Sequence, residues 1–314
     1  MYTKGTRSVY RTRMLRRRLL FFVAVVVAAG LLVSGAVYLS GRLNIRPRGE
    51  RKELLQLWED GSYEEVYFRS QAALALRPMD YFLLTMNGFS AYQLGYSQIT
   101  NLSAAQYFDD CIWKLRKALL QKNAHNDGRL YYVLGKAYSY KDGSYSDLTV
   151  KYLENARELS YSARDIPEYL GMAYKALGDY RSSVAAFSEA LGAEGTGGPS
   201  GQLLLEIAES YFALDEFEMA RSYLWRCIEI SADSRSVLSA RLLLAEILRK
   251  ADDNAGAEKQ LLEVIAETGE NAEARYLLGE LYFQQGDTAR ARAEWRLALR
   301  SDPAHLRARS RLSM

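Results

Sequence analysis

The stretch of sequence that decides the fold covers residues 275–303 and reads RYLLGELYFQQGDTARARAEWRLALRSDP. Its two apolar runs are separated at Gly286, a residue type that commonly ends a helix, and the second run stops just before Pro303. A small residue lies within each run, Gly279 in the first and Ala291 in the second. Because two helices approach closely only where the side chains at their crossing are small, this stretch predicts two antiparallel helices joined by a short turn.

Bulky residues of the same stretch, Leu278, Tyr282 and Trp295, predict contact with a neighbouring helix pair. A single pair cannot bury its apolar face alone, so copies must stack. Copies in the same phase recur upstream, at a spacing of about 34 residues in the regular units. They are marked by Ala245, Ala257 and Leu261; by Ala208, Tyr211, Ala220 and Leu224; by Gly171, Tyr174, Gly178 and Phe187; by Gly135, Tyr138 and Ala156; by Gly88, Gly95 and Ala118; and by Gly61, Ala73 and Pro78.

This spacing resembles the tetratricopeptide repeat (TPR), and the resemblance covers roughly residues 47–305 in about seven units. It implies an all-α fold, a right-handed solenoid of helix–turn–helix pairs over residues 51–305. Two irregularities are predicted in it, an insertion near residues 97–108 and a flexible glycine-rich joint at residues 192–201, and a C-terminal tail follows at residues 306–314. A generic helical repeat or bundle is the alternative interpretation.

A second feature is the uncharged stretch Leu19–Leu39, which contains 21 residues. As a helix it would be about 31 Å long, against a bilayer hydrocarbon core of about 30 Å. A transmembrane helix is therefore predicted over residues 19–40, before a linker at residues 41–50. Residues 1–18 hold seven lysines and arginines and no acidic residue, which predicts a basic tail retained in the cytoplasm.

The favoured topology is thus a single-pass membrane protein with its N-terminus in the cytoplasm and the TPR region outside it. A cleaved signal peptide is one alternative, because residues 34–36 form a small-residue site of the kind that signal peptidase cuts. The reverse orientation, with the repeats in the cytosol, is a second alternative, since the far flank of the apolar stretch is also basic.

The net charge of +3 is unevenly distributed along the chain. Residues 1–52 carry +11 and residues 287–314 carry +4, so the body of the solenoid between them carries −12. Proteins that bind nucleic acid need a basic face to neutralise phosphates, and this acidic body therefore argues against nucleic acid as the main partner. The arginine-rich end is interpreted as a solvated face, with contact to an acidic partner or to the membrane surface as the alternative.

Residue types that carry chemistry are scarce in this chain. It has two cysteines and two histidines, and their spacing forms no metal-binding cluster. Adjacent acids such as Asp109 and Asp110 point about 100° apart on a helix, so they do not converge on one substrate bond. The sequence also lacks a nucleophile elbow. We therefore expect no enzyme activity, no catalytic residue, no cofactor, no metal and no small-molecule substrate.

The TPR resemblance also implies a binding surface. In TPR proteins the second, fifth, ninth, twelfth and thirteenth positions of each first helix line a concave groove. These positions assign to the groove Phe82, Phe89, Tyr92, Arg129, Tyr132, Lys136, Tyr140, Met172, Lys175, Glu209, Phe212, Arg249, Lys250, Tyr276, Glu280 and Phe283. Aromatic residues among scattered charges suit an extended peptide or a partner helix, so protein or peptide partners are expected. The alternative is that these aromatic residues pack against neighbouring helices or against the inserted segment.

The sequence therefore predicts a membrane-anchored TPR scaffold or adaptor that mediates protein–protein or peptide binding, in envelope assembly or protein export. Its layout of basic tail, single span and external repeats is similar to that of ancillary subunits of the bacterial protein-export channel. The alternative is a structural subunit of a membrane-associated complex, held there by permanent self-association or hetero-association.

Overall fold

The computed structural model describes residues 49–98, 103–141, 143–192 and 198–313, and within these ranges the chain forms helices, turns and loops without a β-strand. The predicted transmembrane segment Leu19–Leu39, the basic tail before it and most of the linker after it lie outside the described residues. None of the described helices combines the length and the apolar character that a membrane span requires.

The chain divides into two compact units, one ending at Ser90 and one beginning at Ala91. In the first unit, helix α1 (Glu50–Glu59) and helix α2 (Tyr63–Leu76) are joined at Gly61, whose φ of +73° permits the tight turn. Helix α3 (Tyr81–Ser97) begins in this unit.

A buried polar contact stabilises the first unit. The Asn87 side chain is fully buried, and its amide donates to the Tyr67 carbonyl at 2.8 Å and to the Ser70 hydroxyl at 3.0 Å. Because an unpaired buried amide is costly, these two bonds favour one packing of α3 on α2. At the turn between α1 and α2, the Trp58 and Tyr63 rings meet edge to face with their centroids 4.9 Å apart.

The second unit is a TPR-like solenoid of antiparallel helix pairs. Its helices are α4 (Ser103–Ala118), α5 (Gly128–Ser139), α6 (Ser146–Glu158), α7 (Ile166–Ala176), α8 (Tyr180–Gly192), α9 (Gly201–Ala213), α10 (Phe217–Ile230), α11 (Ser234–Lys250), α12 (Asn254–Thr268), α13 (Ala272–Gln284), α14 (Thr288–Ser301) and α15 (Leu306–Ser313). From α5 to α14 each odd-numbered helix is the first of a pair and packs most extensively on the even-numbered helix that follows it. From α9 to α15 small and large residues of both helices form one core cluster, and separate clusters lie between α6 and α8 and between α8 and α9.

The pair α13–α14 confirms the packing predicted from residues 275–303. A Cβ atom on Gly279 would lie 2.4 Å from the Trp295 ring nitrogen and 3.1 Å from the Ala291 carbonyl oxygen, so only glycine allows this crossing. Gly286, with a φ of +82°, follows α13, and α14 ends shortly before Pro303. The predicted helix–turn–helix is confirmed.

The turns of the less regular units differ from this pattern in residue type but not in conformation. Gly178 and Gly286 have positive φ values of 77° and 82° in their turns, and Asp215 and Asp252 take φ values of 60° and 59° in the corresponding turns of the two intervening pairs. Aspartate tolerates this left-handed conformation better than most residues. The helical turn is therefore kept where the glycine signal is missing from the sequence.

The structure differs from the sequence prediction in two places. Residues 103–108, predicted to lie in an insertion, form the start of α4, and Phe108 is buried with a ring atom 3.0 Å from where a Cβ on Gly95 would be. Phe108 thus packs on a first-helix glycine as Trp295 does on Gly279. Residues 306–313, predicted to be a tail, form α15, in which Ala308 is fully buried. The centre of the predicted joint, residues 193–197, lies outside the described residues.

Candidate partner-binding surface

Lys136, a predicted groove residue on α5, is surrounded by other side chains of the second unit. Its ammonium group lies 2.6 Å from Asp165 Oδ2 and 4.7, 5.3 and 5.8 Å from the ring centroids of Tyr169, Tyr132 and Tyr92. Tyr132 donates its hydroxyl proton to the same carboxylate, at 2.9 Å. The positive charge of Lys136 is therefore balanced by one carboxylate and three aromatic faces.

Tyr140 completes this tyrosine cluster, which we define as Tyr92, Tyr132, Tyr140 and Tyr169. The Tyr140 and Tyr169 hydroxyl oxygens are 2.7 Å apart, and the Tyr140 ring stacks on Phe108 with centroids 4.9 Å apart. Burial is the main cause that raises the pKa of all four phenols above its ordinary value. At this end of the unit the predicted groove residues pack on one another, which is the alternative that the sequence left open.

Three other predicted positions lie near this end of the chain. Arg129 is exposed and pairs with Asp127, the residue that caps its own helix. In the first unit, Phe82 lies 4.6 Å below the Arg51 guanidinium, and Phe89 lies 6.4 Å from the ring centroid of Trp58. Whether these side chains contact a partner stays a prediction.

On α7, Met172 is exposed and Lys175 forms ion pairs with Glu206 and Glu209 of α9. Burial of Lys175 disfavours its charged form, but the two carboxylates outweigh that effect and raise its pKa. Lys175 thus connects two successive first helices across the surface that the sequence assigned to the groove.

Helix α15 covers the groove positions of α13. The Arg311 guanidinium donates to Glu280 Oε1 at 2.8 Å and lies 5.2 Å from the Phe283 ring centroid. The Arg307 guanidinium lies 4.7 Å from the ring centroid of Tyr276, of which only 9% is exposed. Tyr276 and Glu280 are therefore covered by the chain itself, because α15 continues the row of first helices, whereas Phe283 remains 45% exposed.

A polar pair therefore connects most successive first helices of the second unit: Lys136 with Asp165, Lys175 with Glu206 and Glu209, Arg249 with Gln284 at 2.9 Å, and Arg311 with Glu280. Between α9 and α11 the described residues form no ion pair, and the Ser236 hydroxyl of α11 donates to Gln202 Oε1 of α9 at 3.2 Å. Lys250 of α11 also contacts α9, with its Nζ 4.9 Å from the Phe212 ring centroid. This junction is where the surface opens.

An open cleft of about 240 Å³ lies there, formed by three first helices. We call it the α9–α13 cleft; its lining residues are Glu209 and Phe212 of α9, Ser239, Leu242, Leu243 and Glu246 of α11, and Glu273 and Leu277 of α13. Four apolar side chains and three carboxylates line it, without a lysine or an arginine. The cleft is thus acidic and apolar at once.

The state of the three carboxylates differs. Glu209 is paired with Lys175, and Glu273 with Arg307 and, at 3.1 Å, with the His305 ring. Glu246, on the central helix, has no ion-pair or hydrogen-bond partner in the part of the chain that the structure describes, and its side chain is half-buried. It is therefore the carboxylate most available to a ligand.

Sequence reasoning placed Glu209 and Phe212 in the groove and missed Leu242, Glu246 and Glu273. The signal was present, because Leu242 and Glu246 stand three residues before and one after Ala245, as Tyr276 and Glu280 do around Gly279. Applying the same phase to every unit would have found them.

Reactive groups are absent from the cleft lining. Cys111 and Cys227 are buried and free, and burial is the main cause that raises the pKa of each thiol. Among the described residues, no group of histidine, cysteine, aspartate and glutamate side chains has the geometry to hold a metal ion. The chemistry that the surface offers is contact by charge and by apolar area.

A tetratricopeptide repeat family model matches residues 170–234 and 242–305. No curated protein sequence matches the chain. Among solved structures, the C-terminal part of a TPR repeat-containing protein from Cytophaga hutchinsonii has a TM-score of 0.58 at 16% identity, covering 84% of this chain and all of that one.

Two further structures are similar at low identity. PilW, described as a widely conserved type IV pilus biogenesis factor, has a TM-score of 0.55 at 15% identity and covers 70% of this chain and 98% of its own. Pseudomonas aeruginosa pilF has a TM-score of 0.51 at 15% identity, covering 72% and 96%. At such identities the likeness shows the fold. The family match shows tetratricopeptide repeats in residues 170–234 and 242–305, and over the other described residues the likeness is one of fold.

Proposed function

We propose that the chain is a membrane-anchored TPR scaffold that holds a segment of a partner protein in the α9–α13 cleft. The observation that carries the proposal is the cleft itself, which is lined by the half-buried side chains of Phe212 and Leu242 and, at its base, by Leu277, which is 7% exposed. Surface of this kind, apolar and edged with charge, is typical of sites that bind a protein segment. Elsewhere along the row, cross-helix pairs already occupy the side chains.

The anchor belongs to the proposal through the sequence of Leu19–Leu39. Its 21 uncharged residues are long enough to span a bilayer as a helix, and the arginines before it favour an N-terminus in the cytoplasm. The TPR region would then lie outside the cytoplasm. PilW, which shares the fold, is a pilus biogenesis factor, and this favours envelope assembly or protein export as the setting.

Site-specific photocrosslinking in intact cells tests the binding function. A photoreactive residue replaces Leu242 in the full-length chain, and a matched variant carries it at Leu262, which is 46% exposed on α12 outside the cleft. We expect a discrete crosslinked band from position 242 and none, or a different one, from position 262. Equal crosslinking from both positions, or none from position 242, would contradict the proposal.

Protease protection tests the anchor. With intact cells whose outer barrier has been opened, external protease should cleave the TPR region and leave residues 1–18 protected. Cleavage of the TPR region only after the cytoplasm is opened would reverse the topology. If washing released the uncleaved protein from the membranes, the prediction of a membrane anchor would be wrong.

A permanent structural subunit is the second candidate, and two exposed tryptophans favour it. Trp113 is 62% exposed on α4 and Trp225 is 45% exposed on α10, and tryptophan is enriched at protein interfaces. This candidate predicts one fixed oligomer that does not dissociate on dilution and that changes when Trp113 or Trp225 is replaced by alanine. Light scattering of the full-length protein over a dilution series separates the two candidates.

A further inference from the structure

We infer that the partner segment recognised by the α9–α13 cleft is a cationic amphipathic helix, an inference that rests on the proposed function. The first argument is charge. Glu209, Glu246 and Glu273 line the cleft, and no lysine or arginine does. A basic segment would gain charge-assisted hydrogen bonds there, whereas an acidic peptide or an anionic membrane surface would be repelled.

The second argument is the apolar area between these carboxylates. Phe212, Leu242, Leu243 and Leu277 each contribute to the lining. Leu242 and Glu246 are one helical turn apart on α11, so apolar and acidic groups alternate along the same face. A segment with basic residues on one side and aliphatic residues on the other satisfies both, and a helix is the regular structure that separates them.

The third argument is that the chain already binds one such helix on the adjacent surface. Helix α15 buries Ala308 and packs Leu312 against the core, while Arg307 and Arg311 pair with Glu273 and Glu280 of α13. It is an arginine-rich amphipathic helix on an acidic and apolar first-helix face. The α9–α13 cleft presents the same kind of face without an occupant from the described chain.

Of the three cleft carboxylates, Glu246 is the one that a partner can pair with most readily. Glu209 and Glu273 already hold Lys175 and Arg307, so their charges are partly neutralised. Glu246 has no such pair among the described residues, and it lies on the central helix of the three. We therefore assign the main charge contact of the partner helix to this carboxylate.

The test measures fluorescence anisotropy of labelled synthetic peptides with the full-length protein in a nonionic detergent. The first peptide, of about 16 residues, carries arginine on one helical face and leucine on the other. A second has glutamate in place of every arginine, and a third has a central proline that breaks the helix. We expect the first to bind, with an affinity that falls as salt is added, and the other two to bind at least about tenfold more weakly.

Two charge variants locate the contact. Glu246→Lys should weaken binding of the arginine peptide about five- to tenfold, and Glu246→Gln about two- to threefold, in the range of measured charge contacts. Glu267→Lys makes the same change in net charge on an exposed position of α12 outside the cleft and should leave the affinity unchanged. Circular dichroism verifies that all three variants fold.

Each outcome has a defined meaning. Equal loss in Glu246→Lys and Glu267→Lys would show general attraction to the acidic body of the solenoid and would overturn the inference. If the glutamate peptide bound as tightly as the arginine peptide, the partner would not be cationic. If the proline peptide bound as tightly, the partner would not be a helix. Dimerisation of the protein through the cleft, detected by dilution and abolished by Glu246→Lys, would replace the partner with a second copy. If position 242 crosslinks a partner while the arginine peptide does not bind, the scaffold function stands and only this inference fails.

Discussion

Single side chains determine how closely the helix pairs of the second unit approach. At Gly279 a Cβ atom would lie 2.4 Å from the Trp295 ring and 3.1 Å from a backbone oxygen, and the backbone has little room to move. Gly171 meets the Phe187 ring in the same way, at 2.5 Å. Protein interiors are close-packed, so one added methyl group at such a crossing forces the helices apart.

Gly279→Ala should therefore destabilise the protein by about 1–3 kcal/mol, in spite of the higher helix propensity of alanine. The control is Gly192→Ala at the end of α8, where an added Cβ would have nothing within 4 Å. That variant should be neutral or slightly more stable. Urea unfolding followed by circular dichroism measures both, and equal effects would mean that the Gly279 crossing is not close-packed in solution.

The ion pairs also differ in how deeply their side chains are buried. Lys136 and Asp165 have side-chain exposures of 12% and 34%, whereas Arg300 and Glu270 have 68% and 52%. A double-mutant cycle with Lys136→Met and Asp165→Asn should give a coupling free energy of about 1–3 kcal/mol, since the pair is largely shielded from water.

The matched cycle on the exposed pair uses Arg300→Gln and Glu270→Gln. Its coupling should fall within about 0–1 kcal/mol, because water and salt screen exposed charges. Chemical unfolding at low and high salt measures the two cycles. A Lys136–Asp165 coupling as small and as salt-sensitive as that of the exposed pair would show that the tyrosine cluster does not shield it.

The sequence located these residues without showing their partners. The TPR phase correctly placed Tyr132 and Lys136 on one first helix, α5. It did not show that Asp165, just before α7, and Tyr169 of α7 would meet them, because that contact depends on how two units pack and not on the spacing within one. The phase also assigned Tyr276 to the groove, and only the structure shows it under α15.

Helix α15 shows that tertiary packing can form a helix where the local sequence predicts a tail. Helix α15 has eight residues, too short to be stable alone, and it carries three arginines. It forms because Ala308 is buried against the last pair and because Arg307 and Arg311 find carboxylates on α13. The sequence of residues 306–314 therefore resembles a solvated tail, although the chain uses it to cover its terminal repeat.

Ala308→Asp tests this capping role. A buried carboxylate without a partner should detach α15 and lower the free energy of unfolding by about 2 kcal/mol or more. Ser310→Asp adds the same charge at an exposed position of the same helix and should change little. Thermal unfolding and binding of a dye specific for apolar surface are the measurements. Equal behaviour of the two variants would mean that α15 does not cap the solenoid.

Helix α4 was not predicted from the sequence, for a different reason. Its Phe108 packs on Gly95 thirteen positions before it, whereas Trp295 packs on Gly279 across sixteen positions. Because Gly95 lies two residues before the end of α3, whereas Gly279 lies five residues before the end of α13, the repeat phase is lost, and residues 97–108 resemble an insertion. The aromatic residue opposite a glycine is the feature that remains constant, and it is a tertiary contact that periodicity alone does not detect.

Taken along its length, the second unit joins its repeats through tyrosine hydroxyls as well as through ion pairs. Tyr282 donates to Glu258 at 2.6 Å, and burial followed by this carboxylate raises the pKa of Tyr282 to about 12. The phenols of the tyrosine cluster are raised as well, mainly by burial. All of these groups are held in the neutral form by the folded state, so they respond to alkali in the same direction.

The stability of the protein should consequently fall at high pH in a defined window. A phenol whose pKa is higher in the folded state than in the unfolded state, where it is about 10, keeps its proton on folding. Its contribution is fully present below about pH 10 and is lost as the pH rises toward 12, because the unfolded chain releases protons that the folded chain retains. Urea midpoints measured from pH 8 upward should be flat at first and then decrease.

Tyr282→Phe and Tyr169→Phe test the origin of that decrease. Each removes a hydroxyl and its hydrogen bond, and should cost about 0.5–1.5 kcal/mol at pH 8. Each should also make the decrease above pH 10 shallower, since one fewer proton is released on unfolding. Tyr145→Phe, at an exposed ring, should keep the wild-type dependence. If both buried variants lose stability at pH 8 but retain the full alkaline decrease, proton release by these phenols is not its cause.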